Sequence, residues 1–257
     1  MLILLPPSEG KTAPRRGKPL DLGSLSGPEL TPPRERVLDA LVDLCSGDPV
    51  HAAAVLEVPK TQLDLVELNA SVRSAPTARA DAVYAGVLYD ALGLGSLSAA
   101  ARRRATARVR VTSSLFGLVA PADRIPAYRL SGDAALPGVG TVAGVWRDVL
   151  GPVVTDLVGD GLLVDLRSGM YAAFWRPSGL PRVATVRVLH EVKGRRQVVS
   201  HFNKATKGRI VRALLEDGAN PRTPARLAEA LRDLGWYVEV GNGAKGAVQL
   251  DVVVSEV

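Results

Sequence analysis

Five consecutive apolar residues, Met1–Leu5, open the chain with no polar face among them. A short run without alternation predicts a strand buried on both sides. The pattern returns at Leu162–Leu166, interrupted by one acid, Asp165. Val109–Thr112 predicts a further strand, and Ala82–Val87 a short strand entering a glycine turn. Arg182–Glu191 and Arg196–Phe202 read as a hairpin turning at Lys193-Gly194-Arg195. Trp236–Val240 and Val248–Val254 read as a closing hairpin across Gly241–Gly246.

Helical spacing appears first at Arg34–Cys45, where Val37, Leu38, Leu41, Val42, Leu44 and Cys45 are apolar and Gly47-Asp48-Pro49 ends the element. Val50–Glu57 predicts a second helix. A third runs from Thr61, which with Asp64 three residues on resembles a capping box, to about Val72. Helices are also expected from Ser98, over Thr141–Leu150, from about Thr206 to Asp217, and from Thr223-Pro224 to Gly235. Ala13–Pro33 has no apolar period and reads as an irregular excursion. The expected fold class is mixed α/β (α+β), a central mixed sheet flanked by helices. We read it as a single domain over 1–257 with a helical insertion at about 34–80.

Composition adds a direction to this pattern. Of 257 residues, 32 are Lys or Arg and 26 Asp or Glu, a net charge of +6 that favours a polyanionic partner. Cys45 stands alone, which excludes an intramolecular disulfide and a cysteine-cluster metal site. The histidines His51, His190 and His201 lack metal-ligand spacing, so no metal and no cofactor is expected. The N-terminus lacks the basic flank and length of a signal peptide, and no stretch approaches the ~18 apolar residues of a membrane span. A cytoplasmic protein without a membrane partner is the expectation.

The basic residues cluster. Arg102, Arg103, Arg104, Arg108 and Arg110 fall within nine positions, either as a phosphate-facing patch or as a solvated helix face. Between Val192 and Leu215 there are seven basic residues, Lys193, Arg195, Arg196, Lys204, Lys207, Arg209 and Arg212, and no acid. A polyanion-binding surface is the functional reading of that asymmetry. The helix–Val58-Pro59-Lys60–helix arrangement has the shape of a helix-hairpin-helix DNA-binding element. Such hairpins carry glycines that let the backbone approach a phosphate, and this one has none. A plain antiparallel helix pair is the alternative.

The loops after the buried strands carry a different chemistry. Pro6-Pro7-Ser8-Glu9-Gly10-Lys11-Thr12 follows the first strand. A phosphate-cradling P-loop would need its first glycine at position 5, which is Leu5, and Pro6 and Pro7 lack the N–H donors such a loop uses. A simpler anion site of Lys11, Thr12 and the Gly10 N–H remains. Pro121–Gly132, with Tyr128 and Arg129, is a candidate site wall. Arg167-Ser168-Gly169-Met170-Tyr171 ends the strand that carries Asp165, an acid that needs a buried partner such as Arg129 or Arg167. The pocket candidates are Ser8, Lys11, Thr12, Tyr128, Arg129, Asp165, Arg167, Ser168 and Tyr171.

These pieces, in order and spacing, resemble the YaaA peroxide-stress-resistance family over nearly the whole chain. The carrying residues are Ser8 with Lys11-Thr12, Val83-Tyr84 with Gly86, Ser114-Leu115-Phe116-Gly117, Pro126 with Tyr128-Arg129-Leu130, and Trp146. They continue with Leu166, Ser168 and Tyr171, and end with Ser200, Phe202, Lys204 and Lys207-Gly208. The resemblance implies a fold particular to the family with a helix-hairpin-helix-like element and a positively charged cleft. It also implies a cytoplasmic DNA-binding protein that limits free iron and oxidative DNA damage under peroxide. Positions 169 and 170, acidic in well-studied members, are here Gly169 and Met170.

Two functions follow as expectations. In the first, non-sequence-specific DNA binding uses Lys60, Arg102, Arg103, Arg104, Lys204, Lys207, Arg209 and Arg212. In the second, an enzyme acts on a nucleotide or other anionic small molecule in the strand-end pocket.

Overall fold

A computed structural model describes residues 1–192 and 194–255, with the backbone alone of Val192, Ser200, His201 and Lys245. The turn residue Lys193 lies outside the described residues. In chain order the strands are β1 (Leu2–Leu5), β2 (Ala78–Arg79), β3 (Val109–Ser113), β4 (Gly117–Val119), β5 (Arg124–Ile125), β6 (Ala135–Leu136) and β7 (Gly140–Thr141). They continue with β8 (Leu163–Asp165), β9 (Val183–Val192), β10 (Arg195–Gln197), β11 (Tyr237–Asn242) and β12 (Val248–Ser255). The helices are α1 (Thr31–Ser46), α2 (Pro49–Val55), α3 (Asp64–Ala70), α4 (Ala80–Val83), α5 (Val87–Leu92), α6 (Ala99–Arg108), α7 (Val142–Arg147), α8 (Leu150–Val158), α9 (Gly169–Ala172), α10 (Ser200–Asp217) and α11 (Pro224–Asp233).

Eight strands form a mixed sheet in the order β11-β12-β9-β8-β1-β3-β4, with β10 paired to β9. The expected mixed α/β class is what the chain adopts. β1 lies at the centre, parallel to β8 on one side and to β3 on the other. All four of its residues are buried, as a strand covered on both faces requires. The parallel set continues through β9 to β12, and β4, β10 and β11 join antiparallel.

This order sets where chemistry can sit. From β1 the chain reaches β3 on one side, then returns to β8 on the other side and moves outward to β9. The carboxyl ends of β1 and β8 therefore flank a topological switch point, where the connecting segments diverge and leave a crevice in open parallel sheets. The loops after β1, β3 and β8 all emerge at that edge.

Three local readings change. Ala82–Val87 is not a strand: α4 ends at Val83, and only Tyr84 makes an isolated bridge, with Lys11. The Arg196–Phe202 strand stops at Gln197, and α10 begins at Ser200 rather than near Thr206. The buried stripe of α10, Thr206, Ile210, Val211, Leu214 and Leu215, starts late, so its first turn carried no readable period. At Thr61 there is no capping box, because α3 begins at Asp64 without a side-chain cap. The α2–α3 turn instead places Glu57 at φ 53°, a left-handed position that glycine ordinarily occupies.

The apolar core runs from β1 through α1, α5, α10 and α11. Two features fix its outer parts. Arg34, fully buried on α1, donates to the carbonyls of Ser26, Gly27, Phe116 and Leu118 at 2.7–3.0 Å, tying the irregular excursion to β4. Gly208 lets α10 lie directly on α5, since a Cβ there would sit 2.2 Å from the Leu88 carbonyl oxygen.

Candidate functional site

The loop after β1 is pinned by its own polar atoms. The Ser8 hydroxyl donates to the Gly10 carbonyl at 2.6 Å and accepts from the Ala85 N–H at 3.2 Å, and the Thr12 N–H donates to the Val83 carbonyl at 2.8 Å. These bonds turn the Lys11 side chain inward while Thr12 stays exposed. The Lys11 amine donates to the carbonyls of Ser8 at 2.8 Å and Glu9 at 3.4 Å. It lies 4.1 Å from the centre of the Tyr128 ring and 5.7 Å from that of Tyr84, a cation–π slot.

The aromatic floor is ordered by hydroxyls. Tyr128 Oη lies 2.7 Å from Ser113 Oγ at the end of β3 and 3.2 Å from Tyr84 Oη. Tyr89 stacks on Tyr84 and donates to the Pro6 carbonyl at 2.6 Å. Burial pushes the phenols of Tyr84, Tyr89 and Tyr128 upward, so they remain neutral hydroxyls. Burial acts oppositely on an amine. Burial first and the neighbouring Arg129 guanidinium second bring Lys11 from 10.5 down to about 7, against an upward pull from Glu9.

Arg129 is placed by α3. The Asn69 side chain, fully buried, grips the Arg129 backbone by accepting from its N–H at 2.8 Å and donating to its carbonyl at 2.7 Å. The guanidinium meets the exposed Glu9 carboxylate at 3.1 Å. Beyond β8, Asp165 and Arg167 form a bidentate buried pair at 2.7 and 2.9 Å, and Arg167 also donates to the carbonyls of Tyr171 and Trp175. Of the two partners expected for Asp165, the structure selects Arg167. Both charges are engaged, so this pair braces the loop after β8. Ser168 caps nothing with its side chain and lies exposed, whereas Tyr171 is buried. From α10, Lys207 reaches the same strand end and donates to the Leu166 carbonyl at 3.1 Å. Desolvation lowers its pKa, opposed by Asp165.

The switch point thus gathers Ser8, Lys11, Tyr128, Arg129, Tyr171 and Lys207, with Thr12 and Ser168 exposed on loops at the same sheet edge. Sequence reasoning missed Glu9 and Asn69 as partners of Arg129, Ser113 under Tyr128, and Tyr89. A lone buried Asn or Ser carries no spacing signal.

The basic residues divide. Lys60, Arg103, Lys204 and Arg209 are exposed, and none makes an ion pair among the described residues. Arg102 donates to the Gly95 carbonyl at 2.9 Å. Arg104 closes the carboxyl end of α10 through the Leu215 carbonyl at 2.6 Å, and Arg212 closes α5 through Leu92 and Gly93, both at 3.0 Å. Among the described residues, no three His, Cys, Asp or Glu side chains converge as a metal site. No helix among them is long and apolar enough to cross a membrane.

Comparison with known proteins places these residues in a family. A UPF0246 protein of Streptomyces coelicolor is 53% identical over 261 residues, covering all of both chains. A UPF0246 protein of Corynebacterium efficiens is 41% identical over 98% of this chain and all of its own. An uncharacterized protein of Campylobacter jejuni is 25% identical over 81% of this chain and 82% of its own. The family described as peroxide stress protein YaaA matches residues 1–240, and the chain belongs to that family.

Proposed function

We propose that this peroxide-stress family member binds DNA non-sequence-specifically and thereby limits iron-driven oxidative damage to it. The observation that carries the reading is that Lys60, Arg103, Lys204 and Arg209 are exposed and make no ion pair among the described residues, in a chain of net charge +6. Exposed cations free of protein anions can exchange their solvent for phosphates, and each contact releases a condensed counterion. With no three metal-ligating side chains converging among the described residues, we take the effect on iron damage to run through the DNA. The interface excludes Lys207, whose amine turns to the sheet. It gives Arg104 and Arg212 a supporting role through the helix ends they close.

The test is duplex binding against salt. Lys204→Glu with Arg209→Glu should lower affinity at least about tenfold at 50 mM salt and make the log–log salt slope shallower by about 2. Unaltered binding at low salt overturns this surface.

A second reading is favoured by the strand-end site: an enzyme acting on an anionic small molecule or nucleotide. Two desolvated amines, Lys11 beside Arg129 after β1 and Lys207 on the Leu166 carbonyl after β8, sit at the strand ends that flank the topological switch point. Phosphate contacts on an open surface do not require such burial.

A further inference from the structure

Lys11 is an expensive residue if its role is structural. Its amine is enclosed by two tyrosine rings and the Ser8 carbonyl, yet no carboxylate pairs with it among the described residues. The nearby acid, Glu9, bonds Arg129 instead. A second cation beside a desolvated amine destabilises its charged form, and this arrangement is how proteins prepare a lysine to act as a nucleophile. Arg129 is the other half of the geometry. Its partner, the Glu9 carboxylate, is 73% accessible, so the pair opens to solvent on the Glu9 side.

We propose that Lys11 is a Schiff-base lysine whose amine adds to the aldehyde of a phosphate-bearing sugar fragment held on Arg129 in place of Glu9. This rests on the strand-end reading above and gives it a chemistry. The lone pair of the neutral amine attacks the carbonyl carbon, and the carbonyl oxygen takes up a proton to form a carbinolamine. That hydroxyl leaves as water as the C=N bond forms, so amine and aldehyde give imine and water with no oxidant or reductant. Such an aldehyde exists in free sugar phosphates and at abasic positions in DNA, where C1′ lies between phosphates.

The test traps the imine with sodium cyanoborohydride, which delivers hydride to C=N, and maps adducts by peptide mass. One arm contains glyceraldehyde 3-phosphate and the other a duplex with an abasic site. We expect one adduct, on the peptide containing Lys11, in at least one arm, with a rate that rises as pH passes through about 7. Trapping in the duplex arm alone assigns the DNA source; trapping of the free aldehyde assigns the small molecule. Lys11→Met, which removes the amine without burying a charge, should cut the adduct more than tenfold while thermal unfolding shows the protein still folded, and Lys204→Gln should not alter it. Adducts spread over surface lysines, at equal rate in Lys11→Met, overturn the proposal. Glycerol 3-phosphate, which has no carbonyl, separates the two ideas. If it raises Tm through Arg129, with the shift lost in Arg129→Gln, while no aldehyde is trapped, the imine is overturned and the strand-end site stands. If neither phosphate compound nor the duplex engages the site, both fall.

Discussion

Lys204 and Lys207 lie one helical turn apart on α10 and face different fates. Lys204 is exposed, whereas Lys207 folds back to the Leu166 carbonyl with its pKa lowered. The same division runs through the molecule. At the strand ends, Lys11, Arg167 and Lys207 are held by carbonyls, rings or a buried acid. On the outer faces of α6 and α10, Arg103, Lys204 and Arg209 meet water. A cation buried in a protein must have its donors satisfied or lose its proton, while an exposed one needs neither. Charge counted along the chain therefore overstates the surface open to a polyanion and hides the basic groups within the fold.

The contrast breaks most sharply at Asp165. Asp165→Ala leaves Arg167 buried and unpaired, and unfolding by urea should show a loss of about 3–5 kcal/mol. A loss below about 1 kcal/mol would place the pair among surface ion pairs and remove its bracing role.

Lys11 makes the contrast visible in pH. Its folded pKa, about 7, lies below its ordinary 10.5, so across that window the unfolded chain binds the proton that the folded chain sheds. Stability from this group therefore rises as pH climbs from about 7 to 10.5 and is flat below 7. Lys11→Met should raise the urea midpoint, relative to the parent, more at pH 6.5 than at pH 9.5. An equal effect at both values would mean that the amine keeps an ordinary pKa.

The smallest effects separate the arginines that close helices from the cations that face water. Arg212→Ala removes the donor to Leu92 and Gly93 and should cost about 1 kcal/mol, in the range of a lost cap. Lys204→Gln should change stability by less than about 0.5 kcal/mol. Thermal unfolding of the two variants side by side checks the order, and a reversal would erase the distinction.

Much of the frame is legible in the sequence. β1 reads as an unbroken apolar run and β8 as one interrupted only by Asp165, and α1 and α11 as periodic stripes with their stops and caps. The strand-end loops stand out because they place hydroxyls, basic groups and aromatics, Ser8, Lys11, Arg129 and Tyr171 among them, at the ends of buried strands. The Ala82–Val87 segment was misread because its apolar residues suit a short strand and a helical turn alike, and packing decided between them. The start of α10 escaped because its first turn buries little.

The sequence by itself determined the class of fold, the burial of β1 on both faces and the family, since these rest on local pattern and the order of short motifs. Only the tertiary structure decided which cations are available. Whether a lysine faces Tyr128, the Leu166 carbonyl or water depends on segments some 40 to 120 positions away, and no local period records that distance. The opening loop shows both sides. Its residues promised an anion site, and the fold turned Lys11 into a desolvated amine between two tyrosines, with Arg129 paired to Glu9.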